Sequence, residues 1–183
     1  MVAATKSRSK IYDMAFIAIS AAIMAVCSWI SIPGPVPFTL QTFGVFVTVG
    51  ILGGKRGTLA VLIYILLGAI GVPVFAGFSG GFGVLLSSTG GYIIGFLFTA
   101  LIMWLFEKLP GNKTLMLVLS MLAGLLVCYA FGTAWFMVVY AQSTGPVGLG
   151  AALMWCVVPF IIPDLVKLGL AFVIATRVRK YVA

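Results

Sequence analysis

The sequence predicts an all-α polytopic membrane protein with six transmembrane helices and both termini cytoplasmic. Three observations carry this expectation. Of 183 residues, 63% are hydrophobic and 8% are charged, where a soluble domain would carry about a quarter charged residues. The 11 Lys/Arg and 3 Asp/Glu leave uncharged runs at residues 14–54, 57–106 and 114–163. Each run is too long for a single crossing of about 20 residues and must turn back on itself. Each also holds one cluster of turn formers. These are the segment from Ser31 to Pro37 with three prolines, the segment from Gly71 to Ser88 with Pro73, Gly77, Gly80, Gly81 and Gly83, and Gln142-Ser-Thr-Gly-Pro146. Residues 1–183 read as one integral membrane domain.

The first helix, 11–32, follows Lys6, Arg8 and Lys10 and stops at the prolines, which lack the N–H that a continuing helix needs. It carries Ala18-x-x-x-Ala22 and Ala21-x-x-x-Ala25, small residues one turn apart that let another helix approach closely. The second and third helices, 39–53 and 57–71, flank Lys55 and Arg56 and are shorter than a full span. One or both must dip, tilt or hand over to irregular chain, and such chain survives at membrane depth only when buried in protein or lining a wet cavity. The glycine-rich segment after helix three is therefore a pocket candidate. Helices follow at 90–107, 114–141 and 149–178, the fourth led by a ridge of small residues, Ser87, Gly91, Gly95 and Thr99.

Ten of the eleven Lys/Arg stand at the termini, in the 53–57 turn or in the 108–113 turn, and the three Pro/Gly-rich connections hold none. An excess of Lys/Arg marks the cytoplasmic side. Both termini therefore face the cytoplasm, the connections face out, and the protein is a multi-pass protein of the cell membrane. A cleaved signal peptide over 6–29 is disfavoured, because the apolar stretch is long and no small-residue cleavage site ends it. Topology also accounts for the net charge of +8 better than nucleic acid does, since no aromatic–basic interleaving accompanies it.

With no histidine and three carboxylates, the chain lacks the ligands for a metal centre and the parts of a Ser-His-Asp or Cys-His relay. No metal, cofactor or catalytic residue is expected. Cys27, Cys128 and Cys156 lie inside apolar runs and read as packing residues. Gly53-Gly-Lys-Arg56 has neither the spacing nor the hydroxyl of an ATP-binding loop, so energy for uphill transport would come from a partner.

Two charges remain, Asp164 and Lys167, inside helix six. Each would cost about 2.5 to 3.5 kcal/mol at the centre of a membrane helix. Their i, i+3 spacing lets them pair, yet an apolar pair of similar volume would usually stabilise at least as well. Their retention therefore favours function. Pro159 and Pro163 each lack the N–H that would bond back one turn, so acceptors are freed just before Asp164. A carboxylate that takes ligand N–H donors, beside an ammonium that donates to a carbonyl, suits a small polar molecule. An intramembrane enzyme using the pair as acid and base is the competing reading.

Four separated stretches, Val36-Pro-Phe-Thr-Leu-Gln-Thr-Phe43, Gly71-Val-Pro-Val-Phe-Ala-Gly-Phe-Ser-Gly-Gly81, Thr89-Gly-Gly-Tyr92 and Pro163-Asp-Leu-Val-Lys167, together resemble the BioY family, the biotin-binding S components of energy-coupling factor (ECF) transporters. The resemblance covers nearly the whole chain in order. It implies a six-helix subunit that captures biotin near the outer face and joins an EcfT-like transmembrane coupling protein and two cytoplasmic ATPases. Carried over, it assigns Asp164 and Lys167 to the ligand's ureido ring, and Gln41 and the loop with Gly77 and Gly80 to the pocket wall and lid. It assigns Ala18 and Ala22, or Ala21 and Ala25, to the contact with the coupling protein. Phe75, Phe78, Tyr92 and Trp155 are the side chains expected to pack on the fused rings. Some members carry asparagine where this chain has Ser79 and arginine where it has Ile93. Ser79, Tyr92 or backbone N–H groups of the glycine loop are then left to hold the ligand carboxylate. An S component for another vitamin is the nearest alternative.

Overall fold

The computed structural model describes residues 2–34 and 36–182, without the side chains of residues 2–9. Pro35 and the side chains of Lys6 and Arg8, singled out above, therefore lie outside the described residues. The described residues form eight α-helices: α1 Val2–Trp29, α2 Gln41–Leu52, α3 Gly54–Ala69, α4 Phe82–Leu86, α5 Gly90–Glu107, α6 Lys113–Ser143, α7 Leu149–Cys156 and α8 Val158–Val182. Four helical stretches are long and apolar enough to cross a bilayer: Lys10–Trp29, Gly90–Glu107, Lys113–Ser143 and Leu149–Val182. α2 and α3, with 12 and 16 residues, are shorter.

Three features depart from the expected helices. The first helix ends at Trp29 rather than at 32, because the proline-rich segment folds into a two-residue antiparallel ribbon, β1 Ser31–Ile32 against β2 Phe38–Thr39. The 72–88 connection holds a 3-10 turn, Ala76–Phe78, and the one-turn α4. The last helix is split at Val157, where φ −126° and ψ −56° interrupt it. Pro159 explains the split, since its ring nitrogen cannot bond to the Trp155 carbonyl.

α2 is the central element, packed on α1, α3, α5 and α8, with Val45, Phe46 and Val49 buried. Its short length follows from Gly53, whose φ of 79° reverses the chain directly into α3. A side chain there would be strained. α5 and α6 form the most extensive helix pair. The ridge of small residues expected at the start of α5 is used inside the protein: a Cβ on Gly91 would meet Trp135, Gly95 sits on Cys128, and Thr99 donates to the Gly124 carbonyl at 2.9 Å. Close backbone approach through small residues substitutes for a hydrophobic driving force where lipid and core are equally apolar.

Ion pairs gather one end of the bundle. Arg56 pairs with Asp13 at 3.1 Å, joining the start of α3 to the N-terminal half of α1. Arg179 pairs with Glu107, joining the ends of α8 and α5.

Helix one has a definite phase. Ala21 and Ala25 are buried in the protein's own core, whereas Ala18 and Ala22 are exposed beside Ile19, Ile23 and Val26. Of the two alternatives for a partner contact, Ala21 and Ala25 pack inside the protein, and Ala18 and Ala22 face outward.

Candidate functional site

Beneath the proline-rich connection lies a cavity of about 140 Å³. Its wall comes from nearly every element: Val36, Pro37, Thr39, Gln41 and Thr42 from the first connection and α2, Phe75, Ala76 and Ser79 from the glycine loop, Tyr92, Ile93 and Phe96 from α5, Cys128 and Tyr129 from α6, Cys156 from α7, and Phe160, Asp164 and Lys167 from α8.

The two charged side chains at its base are 2% and 5% exposed. Lys167 Nζ donates to Asp164 Oδ1 at 2.7 Å, to the Thr39 carbonyl at 2.7 Å and, more weakly, to Thr42 Oγ1 at 3.4 Å. It also stands 4.1 Å from the centroid of the Phe38 ring, a cation–π arrangement that strengthens out of water. Asp164 Oδ1 accepts from Thr42 Oγ1 at 3.1 Å, and Oδ2 accepts from the Tyr129 hydroxyl at 2.6 Å. A carboxylate has about four lone-pair sites. Three are engaged by Lys167, Thr42 and Tyr129, so the carboxylate keeps capacity for a ligand N–H. The three ammonium protons all have acceptors, and the long bond to Thr42 is the one most readily exchanged for a ligand carbonyl.

A second buried network ties the two connections over the site. Gln41 Oε1 accepts from Thr39 Oγ1 at 3.0 Å, and its Nε2 donates to the Tyr64 hydroxyl at 2.7 Å. Tyr64 donates to the Val74 carbonyl at 3.0 Å, which also accepts from Ser28 at 2.5 Å. Trp29 donates to the Pro73 carbonyl at 2.9 Å and stacks on Phe78. A buried donor left alone costs more than its bond contributes. Tyr64→Phe, which strands Gln41 Nε2, is therefore expected to lower unfolding stability by about 1 to 3 kcal/mol, read from the thermal midpoint of the purified chain. A midpoint equal to the parent's would contradict the network's role.

The structure brings Asp164, Lys167, Gln41, Ser79, Tyr92 and Phe75 together around one cavity. It does not bring Gly77 or Gly80 there. Gly77 supplies a positive φ of 66° at the loop's exposed tip, and Gly80 packs on the Val72 carbonyl. These two shape the loop while Ala76 and Ser79 face the cavity. Phe78 and Trp155, expected on the wall, are also elsewhere: Phe78 is 63% exposed, and Trp155 is 44% exposed with its edge to Tyr140. Phe96 and Phe160 take their place, with Phe38 stacked behind Phe160.

Ile93 is buried on the cavity wall and supplies no charge. Ser79 Oγ donates to the Ala76 carbonyl at 2.7 Å, and Tyr92 shares a hydrogen bond with Thr133 at 2.9 Å. Both hydroxyl oxygens retain acceptor and exchangeable donor capacity. Thr39, Thr42 and Tyr129 were missed by sequence reasoning. A hydroxyl inside an apolar helix is the signal that could have flagged Thr42 and Tyr129, although it does not say which way the residue points.

Comparison with known proteins now adds to the geometry. The family model described as the BioY family matches residues 3–183. The biotin transporter BioY of Thermotoga maritima is 44% identical over 160 residues, covering 87% of this chain and 90% of that protein. Biotin transporter BioY2 of Lactococcus lactis is 35% identical over 182 residues, covering 94% and 97%. A crystal structure of the S-component for biotin from an ECF-type ABC transporter superposes with a TM-score of 0.82 at 31% identity, covering 94% of this chain and 93% of that one.

Proposed function

The chain belongs to the BioY family, and from that premise we propose that it is the membrane-embedded biotin-binding subunit, or S component, of an ECF-type vitamin uptake transporter. The observation that carries the proposal is the Asp164–Lys167 pair at 2.7 Å, buried at the base of a cavity otherwise walled largely by apolar and aromatic side chains. That is the usual division in small-molecule sites between apolar bulk and a few oriented polar groups. The fused rings pack between Phe75, Tyr92, Phe96 and Phe160. A ureido N–H donates to Asp164, and Lys167 donates to the ureido carbonyl. The valeryl carboxylate extends toward Ser79 and Tyr92. The protein acts by binding and release and performs no catalysis.

In this reading the chain is a single domain of the cell membrane with six crossings, α7 and α8 together making the last. The basic end lies in the cytoplasm, because Lys/Arg-rich turns stay inside, and the cavity opens outward. An EcfT-like coupling protein and two ATPases supply the energy. The exposed Ala18 and Ala22 on α1 support a flat contact with the coupling protein. Ala22→Trp is expected to leave biotin affinity unchanged and to abolish co-purification with the coupling protein. Retention of the whole complex would remove α1 from that interface.

The direct test is equilibrium binding of biotin to the purified chain, with thiamine and riboflavin as comparators. Selective binding of biotin, recovered chemically unchanged, is the expected result. Preference for another vitamin would make the chain an S component of different specificity, and turnover of the ligand would favour the enzyme reading.

A further inference from the structure

A second cavity, of about 210 Å³, opens at the basic end of the bundle, far along the helices from the Asp164–Lys167 site. It lies among the end of α2, the start of α3, the end of α5, the start of α6 and the last turns of α8. Its wall has two chemistries. Val49 and Met103 are buried at its base, with Met116 and Leu117 beside them, while Glu107, Lys113 and Arg179 stand at the rim. Both carboxylate oxygens of Glu107 are in use: one accepts from Arg179, and the other accepts from the Gly54 N–H at 2.6 Å. Arg179 has further N–H donors beyond the one this pair uses. Lys113 is exposed and has no carboxylate partner among the described residues. The rim therefore carries a net charge of +1, from Lys113, beside an Arg179–Glu107 pair whose arginine still has donors to offer.

We propose that this cavity binds an anionic phospholipid, with its phosphate held by Lys113 and Arg179 and the first part of an acyl chain lying against Met103, Met116 and Leu117. Basic pockets between membrane helices at the headgroup level are suited to phosphate-bearing lipids. Lysine serves such a phosphate as a point charge and arginine as a directed donor. A free phosphate ion would use the rim alone. The apolar base directly beneath is what selects an amphiphile. The inference rests on the chain's place in a bilayer and not on which vitamin it binds.

The test uses the full chain purified in a neutral detergent. Native mass spectrometry counts retained lipid, and the thermal midpoint is followed on addition of phosphatidylglycerol, phosphatidylcholine or inorganic phosphate. One retained phosphatidylglycerol and a rise in the midpoint are expected, with neither effect from phosphatidylcholine at the same concentration. Lys113→Glu should weaken phosphatidylglycerol retention by about tenfold or more. Met116→Trp, which fills the base and leaves the rim intact, should weaken it as well. Biotin affinity should be unchanged in both variants. Equal retention of the two lipids, parent-like retention in Lys113→Glu, or a full midpoint shift from inorganic phosphate alone would each overturn the proposal. A parent chain that holds phosphatidylglycerol but not biotin would sink the biotin reading and leave this one standing.

Discussion

Lys167→Met is expected to lower biotin affinity by about a hundredfold or more and to destabilise the folded chain by roughly 3 to 5 kcal/mol. The lysine does two things at once. It neutralises a carboxylate that is 2% exposed, and it pins the first connection by donating to the Thr39 carbonyl at 2.7 Å. Removing it leaves Asp164 with two hydroxyl donors, Thr42 and Tyr129, but no counter-charge. The informative comparison is the double variant Asp164→Asn with Lys167→Met. Asparagine keeps one acceptor oxygen for a hydroxyl and turns an NH2 toward the oxygen of the other, and no unpaired charge remains, so much of the stability should return. Binding should not return, because the ammonium and the carboxylate have both gone. Binding restored along with stability would mean that the pair serves only the fold. Calorimetry for affinity and thermal unfolding for stability separate the two outcomes.

The second large effect is expected at a position that does not touch the cavity. Gly68 lies in α3, and a Cβ built there falls on the ring of Phe75. Phe75 is 1% exposed, lines the cavity and meets Tyr64 edge-on at a centroid distance of 5.6 Å. In an unconstrained helix interior, replacing glycine by alanine stabilises by about 0.5 to 1 kcal/mol. Here the sign should reverse: overpacking costs typically about 1 to 3 kcal/mol, and the ring can relieve it only by moving into the ligand's space. Gly68→Ala should therefore lower the thermal midpoint and weaken biotin binding by about tenfold or more. Adding Phe75→Leu should recover stability in a double-mutant cycle, since the two residues share one contact. A stabilised Gly68→Ala chain with normal affinity would refute the coupling.

Much of the architecture was legible in the residues. The long uncharged runs and their turn clusters located the helices and the three connections, because burying backbone and charge in an apolar solvent leaves few options. The spacing of Asp164 and Lys167 specified a pair on one helix face, and a 2.7 Å ion pair is present. The shortness of the second and third helices also pointed to irregular chain near the site. What surrounds the pair was less accessible. Tyr129 and Thr42 reach Asp164 from 35 and 122 positions away in sequence, and no local pattern announces such partners. Phe96 and Phe160 line the cavity where Phe78 and Trp155 had been expected, because the loop tip turns Phe78 onto Trp29 and the break at Val157 re-phases the last helix.

The sequence by itself determined that the chain lives in lipid, where its helices turn, and that one opposed pair of charges must be sheltered. These follow from composition and spacing, which act through local solvation costs. Only the tertiary structure decided which face of each helix looks inward. Core and lipid are equally apolar, so hydropathy offers no contrast between them, and only packing selected Ala21 and Ala25 for the interior while leaving Ala18 and Ala22 outside.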